Sequence, residues 1–414
     1  KTASKLAPNE PDILENLGVT LFKLSNYQEA IIFLKKALAH STFKSRIENT
    51  LGNIYYKIGE HNASQEHFNN SIAYANNNHE PFYNFGVITR ALNKNPKKAI
   101  QFFHESLKRH ETYQPAIYMM GVTLVEEKKF SDGIQYLRKS ILLDPSHIAS
   151  LVSLLHALSY TCDWSSLEDL SAEITRLSET HPKVNYEPPP TWSLLGLYDN
   201  PKLQLQHSKD WSQHHYGKIK RHPLWLRPTE NRKIRIGYFS ADFRNFPGMF
   251  LMAKMFECHD RSKFEIYAFS YGPQIIDDMR LRIENSVDQF IDLYGLEDEK
   301  IIDLVRKEEI DIAIHRNGYT RNHRSEIFAY GLAPIQINYL GYPGTLGADF
   351  IDYIVADKTV IPEEYKEYYS EKVLYMPDSY QPNDNTRTIA ETTTNRSDFD
   401  LPDDAFVFCC FNNS

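Results

Sequence analysis

Apolar and polar positions follow two different periods along this chain, and the switch between them falls near residue 230. In the first part the period is helical. Leu14, Leu17 and Leu21, then Ala30, Leu34 and Ala37, mark two amphipathic segments facing each other, as spacings of three and four residues require. The template returns around Gly52, Gly86 and Gly121, so that the glycines from Gly18 onward lie 34, 34 and 35 residues apart. Each follows a large apolar residue: Leu17, Leu51, Phe85 and Met120. The fourth copy adds Ile117 and Leu124, then Gly133, Leu137, Ser140 and Pro145. The extra residue of the third copy falls near Asn93–Pro96, in the turn between its helices. A degenerate fifth pair is expected from Ile148, ending near Thr161–Trp164.

A repeat of this length, with small residues where two helices cross, is the tetratricopeptide pattern. It predicts an α-solenoid over residues 1–160. Ligands of such a solenoid lie on the concave face built by the first helix of each repeat. Asn16 and Asn84 share one repeat position there, and Asn49 and Asn53 lie close to it. These four either clamp the backbone of an extended acceptor peptide through paired amide hydrogen bonds or are ordinary polar surface residues. Thr50 and Met119 stand at that position in the other two copies.

Residues 161–230 read as a helical connector, punctuated by Glu187-Pro188-Pro189-Pro190 and closing on the polar stretch Arg227–Asn231. Beyond it, short apolar runs alternate with helical segments. Ile234–Ser240, Phe264–Ser270, Asp311–His315, Ile335–Gly341 and Asp352–Ala356 read as buried strands, with an amphipathic helix at Asp298–Glu309. Strands separated by helices predict a parallel sheet, so the fold class is α plus α/β, a solenoid followed by a Rossmann-like lobe over 231–384. In open sheets of this kind ligands lie beyond the carboxyl ends of the strands. Three strand ends carry chemistry: Ser240–Gly248, where Pro247 can open a helix, His315–Thr320, and Leu340–Gly347. The glycines of the last can let backbone N–H groups approach a polar ligand. None is a Walker loop or a G-x-G-x-x-G, which disfavours an NTPase or a dinucleotide dehydrogenase.

Composition narrows the class. With 46 basic against 54 acidic residues, a formal charge of −8, no nucleic-acid partner is expected. A mean hydropathy of −0.49 and the lack of a long uncharged apolar run argue against a transmembrane helix. Lys1–Asp12 is polar and does not read as a signal sequence. Four cysteines, Cys162, Cys258 and the adjacent Cys409–Cys410, offer no C-x-x-C spacing; they point to a reducing cytoplasm, with no disulfide framework and no metal site.

The repeats, followed by Ile234-Arg-Ile-Gly-Tyr-Phe-Ser-Ala-Asp-Phe-Arg244, Asn317-Gly-Tyr-Thr320, Ala333-Pro-Ile-Gln336 and Leu340-Gly-Tyr-Pro-Gly-Thr345, resemble the O-linked N-acetylglucosamine transferase and Spindly family. Tyr368–Lys372 and Met376–Tyr380 extend the resemblance, which runs from Pro11 to Asn412. It implies an inverting glycosyltransferase with two Rossmann-like lobes, the GT-B arrangement. Such an enzyme moves a sugar from a nucleotide-sugar, UDP-N-acetylglucosamine or a related donor, onto Ser or Thr hydroxyls of proteins, with no metal and no other cofactor. N-acetylglucosamine and fucose transferases share this framework.

By position, Asp242 matches the family's carboxylate in the first loop; it either assists proton removal or satisfies nearby N–H groups as a helix cap does. Leu340, Gly341, Pro343, Gly344 and Thr345 match the loop that lines the sugar pocket. His207 matches a family histidine in the preceding helices and is either catalytic or structural; with Trp211 and His215 it shares one helix face. The chain also departs from the pattern. Phe246 stands where the family has histidine, His315 where it has Asp or Asn, Arg316 where it has leucine, and Gly331 where many relatives have arginine. Residues 385–414 are expected to hold a linker and one strand, Ala405–Phe411, of a second lobe that in this family binds the nucleotide. The resemblance therefore implies a fragment of a glycosyltransferase, inactive alone. The alternative is a non-catalytic tetratricopeptide scaffold with a degenerate transferase lobe.

Overall fold

The computed structural model describes residues 10–24, 26–92, 95–180, 188, 190–196, 199–225, 232–388 and 391–409. The solenoid consists of helix pairs α1 (Pro11–Lys23) and α2 (Tyr27–His40), α3 (Lys44–Lys57) and α4 (His61–Ala73), α5 (Glu80–Leu92) and α6 (Pro96–Arg109), α7 (Gln114–Glu126) and α8 (Phe130–Leu143). The repeat glycines have a packing reason. A Cβ at Gly18 would lie 2.5 Å from Leu34, at Gly52 2.9 Å from Phe68, at Gly86 2.6 Å from Phe103 and at Gly121 2.8 Å from Leu137. Each glycine thus receives the fully buried side chain that its partner helix projects. The partner lies sixteen residues on, except seventeen in the third pair, where the extra residue was expected; Asn93 and Lys94 themselves lie outside the described residues. Gly86→Ala will therefore overpack Phe103 and lower stability by about 1–3 kcal/mol, read as a lower urea midpoint for loss of helical circular dichroism.

The fifth pair is longer than the sequence suggested. Its first helix, α9 (Ile148–Tyr160), ends near Thr161, but a second, α10 (Leu167–Thr180), packs back on it. Two connector helices follow, the short α11 (Thr191–Leu195) and the 16-residue α12 (Pro201–Tyr216). Ile148, Leu151, Val152, Leu155, Ile174, Leu177, Leu194 and Leu203 form one core, so solenoid and connector are packed as one body. At its other end α12 inserts Tyr216 and Trp211 into the core of the lobe. Residues 187 and 189 of the proline punctuation and all of 227–231 lie outside the described residues.

The lobe is a seven-stranded, wholly parallel sheet in the order β3-β2-β1-β4-β5-β6-β7. Its strands are β1 (Ile234–Ser240), β2 (Phe264–Ser270), β3 (Gln289–Asp292), β4 (Ile312–His315), β5 (Ile335–Asn338), β6 (Tyr353–Ala356) and β7 (Lys372–Tyr375). Alternate residues of β1 feed opposite faces. Ile236 and Tyr238 pack with α13 (Pro247–Cys258) and α14 (Asp278–Ser286). Phe239 packs with α15 (Asp298–Lys307), α16 (Ser325–Ala329) and Tyr216 of α12. Strands β3 and β7 were not expected from the sequence. Conversely, residues 401–409 form no strand, so the described part of the expected Ala405–Phe411 strand is irregular; Cys410 and Phe411 lie outside the described residues.

Candidate active site

Three polar strand ends meet at one edge of the sheet, because β1, β4 and β5 are neighbours. Pro247 opens α13, which turns the chain away immediately after the Asp242 loop. Asp242 is buried, 4 % exposed. Its Oδ2 accepts from the Arg316 guanidinium at 2.5 Å and from Asn317 Nδ2 at 2.9 Å. Asn317 in turn accepts from Ala241 N at 3.0 Å and from the Tyr271 hydroxyl at 3.1 Å. The Gly341 N–H donates to the Arg316 carbonyl at 3.0 Å, and a Cβ at Gly341 would collide with that carbonyl. Leu340, just before it, sits at φ +74°, a left-handed conformation that costs a non-glycine residue of order 1–3 kcal/mol. The backbone of the third loop is thus pressed onto the second.

Of the residues that depart from the family pattern, Phe246 and Arg316 meet beside Asp242, while His315 and Gly331 have partners of their own. Phe246 lies between two cations, with Arg316 5.3 Å and Arg244 5.5 Å from its ring centre. Gly248, on the first turn of α13, leaves the space that the Arg316 guanidinium fills. Burial pulls the Arg316 pKa down, against the opposing pull of the Asp242 carboxylate; an arginine stays charged even so. His315 is wholly buried, stacked on Phe328 at 4.3 Å and 2.8 Å from Ser325 Oγ. Burial holds its pKa well below the ordinary value, so the ring is neutral. Gly331 adopts φ +81° and packs under Arg221.

The sugar-loop candidates divide. Leu340 and Pro343 line one small hollow with Tyr380, while Thr345 lines a separate cleft. Gly344 receives Leu195 of α11. Thr345 Oγ1 donates to Glu371 at 2.6 Å, and Leu346 N donates to the other carboxylate oxygen at 2.7 Å. Burial raises the pKa of Glu371. Asn338, at the end of β5, donates to the Tyr342 carbonyl at 3.2 Å. Arg316, Asn317, Asn338 and Glu371 were not among the sequence candidates for this site. Arg316 and Asn317 carried a signal, as residues of the second strand end, and Glu371 stood in a stretch that extended the family resemblance.

His207 is placed elsewhere. It is 2 % exposed on α12, with Nε2 3.4 Å from Ser178 of α10, and burial pushes its pKa down to about 4. The groups that meet the Asp242 carboxylate are Arg316, Asn317 and, at 3.9 Å, Arg244. Of the shared helix face, Trp211 reaches the second loop, 6.2 Å from Tyr319, and stacks on His215 at 3.9 Å. On the solenoid, Asn84 Nδ2 donates to Asn49 Oδ1 at 3.0 Å across adjacent repeats, so these two amides bond to each other. Asn16 is exposed and Asn53 half-buried on their helices. Flanking inter-repeat pairs join Glu15 to Arg46 and Arg90 to Glu126.

The model of glycosyl transferase family 41 matches residues 220–392, and that of the tetratricopeptide repeat matches 11–39 and 114–147. The chain is 33 % identical over 275 residues to the SEC protein of Arabidopsis thaliana, covering 63 % of this chain and 28 % of that protein. It is 36 % identical over 163 residues to the UDP-N-acetylglucosamine–peptide N-acetylglucosaminyltransferase of Caenorhabditis elegans, covering 39 % and 14 %. The chain thus spans less than a third of the length of these relatives. An O-GlcNAc transferase structure from Thermobaculum terrenum aligns over 82 % of this chain and 58 % of its own, with TM-score 0.50 and 23 % identity; it shares the fold. Among the described residues no helix is long and apolar enough to cross a membrane.

Proposed function

We propose that this chain carries the repeats and the acceptor-side lobe of a protein O-glycosyltransferase. In this reading the parent protein moves N-acetylglucosamine or a related sugar from a nucleotide-sugar, UDP-N-acetylglucosamine in the first instance, to Ser or Thr hydroxyls, with inversion and without a metal. The enzyme is GT-B in arrangement and works in the cytoplasm. The observation that carries the reading is the convergence of the Asp242, Asn317 and Leu340–Thr345 loops at one sheet edge within the family 41 region. An inverting transfer needs the acceptor hydroxyl in line with the anomeric carbon, a route for its proton, and positive charge for the leaving diphosphate. Asp242 lies where a carboxylate can steer the hydroxyl. The solenoid, through Asn16, Asn49, Asn53 and Asn84, offers the acceptor polypeptide a track. Incubating the full-length parent with radiolabelled nucleotide-sugars and a Ser/Thr-rich peptide tests the reading; no transfer from any donor would count against it.

The Arg316–Asp242 pair favours a second reading, a non-catalytic scaffold, because the carboxylate oxygen Oδ2 is already taken up by Arg316 and Asn317. Phe246 can neither accept nor donate a proton. If the site is otherwise competent, Phe246→His in the full-length parent will raise turnover roughly a hundredfold, the low end of what a positioned proton-transfer group contributes. An unchanged rate would leave the scaffold reading in front. A pull-down with and without residues 1–160 then decides whether the repeats select the partner.

A further inference from the structure

Beside the third loop lies a second cleft, of about 230 Å³, whose lining shares Thr345 alone with the sugar-loop candidates. It is lined by Pro201 and Gln204 of α12, by Thr345 and Val360, and by Pro362, Tyr365, Tyr368 and Tyr369 around the 3₁₀ helix Glu363–Tyr368. Its volume is below the roughly 300–1,000 Å³ of pockets that enclose whole small ligands, so it suits a few side chains of an extended segment.

The walls are set before anything binds. The Tyr375 hydroxyl donates to the Ile361 carbonyl at 2.7 Å, and Lys366 lies 4.6 Å over the Tyr375 ring. On the opposite wall the Thr345 hydroxyl is fixed by Glu371. Tyr365 is 43 % exposed and Val360 44 % exposed, so an aromatic ring and a branched aliphatic side chain of the lining face water. The Tyr365 and Tyr368 rings stand 5.9 Å apart, tilted by 52°. Tilted aromatic rings with prolines beside them form the kind of surface on which polyproline II segments dock, since such segments lose little entropy on binding.

Charge narrows the occupant. The lining itself is uncharged, and its near neighbours in the chain are Asp199, Glu363, Glu364 and Glu367 against Lys202, Lys358 and Lys366, with Lys366 held by Glu363 at 2.6 Å. The excess is acidic. We propose that this cleft docks a proline-containing, basic segment of a polypeptide in extended form. If the lobe acts as proposed above, the segment belongs to the acceptor protein and is anchored at the Thr345 end of the sugar loop. The docking itself requires no sugar transfer, so its failure and the failure of the transferase reading are separate outcomes.

The test is fluorescence anisotropy of the whole chain with a labelled peptide of Arg-Pro-Pro repeats. Binding in the range of about 10–100 µM is expected, as for weak peptide docking. Tyr365→Ala with Tyr368→Ala should weaken it at least tenfold, and Glu364→Lys with Glu367→Lys should weaken it while improving a Glu-Pro-Pro peptide. No binding, or equal binding by the tyrosine variant, would overturn the proposal. Equal binding of an Arg-Gly-Ser peptide would reduce it to unspecific charge attraction and overturn it as well. Should a variant fail to fold, a photo-crosslinker in the Arg-Pro-Pro peptide provides a second readout on the unaltered chain. Crosslinks within 360–369 support the site, and crosslinks confined elsewhere refute it.

Discussion

Replacing Arg316 by leucine, the residue expected there from the family pattern, will destabilise the lobe by about 3–5 kcal/mol, because it leaves the buried Asp242 carboxylate without its hydrogen-bonded cation, with Arg244 standing off at 3.9 Å. Asp242 is 4 % exposed and Arg316 also 4 %, so water cannot replace the lost partner. Asn317 still donates at 2.9 Å, but an amide dipole offsets only part of a full charge. The double variant Asp242→Asn with Arg316→Leu should recover most of the loss, since it removes both charges together. Arg316→Lys should not recover it. The arginine fork reaches Asp242 with one nitrogen while another fills the space above Gly248, and a lysine ammonium cannot span both positions. Urea denaturation of the four proteins checks the ordering. A cost below about 1 kcal/mol for Arg316→Leu, the value of an exposed pair, would show that the pair is hydrated in solution.

That cluster also shows where sequence reading stops. The repeats were legible because their cause is local and periodic: each glycine marks the place where a partner side chain sixteen or seventeen residues away enters. Strands β1 and β2 were legible because they are seven-residue apolar runs; β3 and β7, four residues each with partly exposed patterns, carried too weak a signal. The convergence of the three loops followed from the order of the parallel strands. The identity of Asp242's partner did not, since Arg316 lies 74 residues away and gains its meaning from Gly248 and Phe246 in space. Thr345 read as a sugar-loop hydroxyl, but its bond to Glu371, 26 residues on, exists only once β7 is laid beside β6. The helix face shared by His207, Trp211 and His215 was correctly periodic. Periodicity could not say that its first residue faces α10 while the others face the lobe.

Acidification should loosen α12 and the second loop well before general acid denaturation. Burial holds both His207 and His323 at about 4, against an ordinary 6.5, and holds His315 well below it too. These rings are neutral in the folded chain, whereas in the unfolded chain they take up protons near 6.5. Between 6.5 and 4 the unfolded state therefore binds more protons, so stability is complete above about pH 6.5 and falls as pH drops through that window. By pH 5 the loss is about 2 kcal/mol for each of His207 and His323, from 1.36 kcal/mol per unit. Glu326 and Glu371, whose pKa values burial raises, work in the opposite sense. They protonate more readily when folded and return part of the loss near the lower end of the window. The strain falls on one helix, because His207 sits on α12 and His215 of the same helix is the charge that further depresses His323. Urea midpoints measured from pH 7.5 to 5 should decline steadily. His323→Gln, which keeps a polar side chain beside Ser325 but cannot titrate, should flatten the slope by the share of one histidine. A midpoint unchanged from pH 7.5 to 5 would mean that these rings reach water in solution, and that α12 is not sealed against the lobe as its contacts with Tyr319 and Gly347 require.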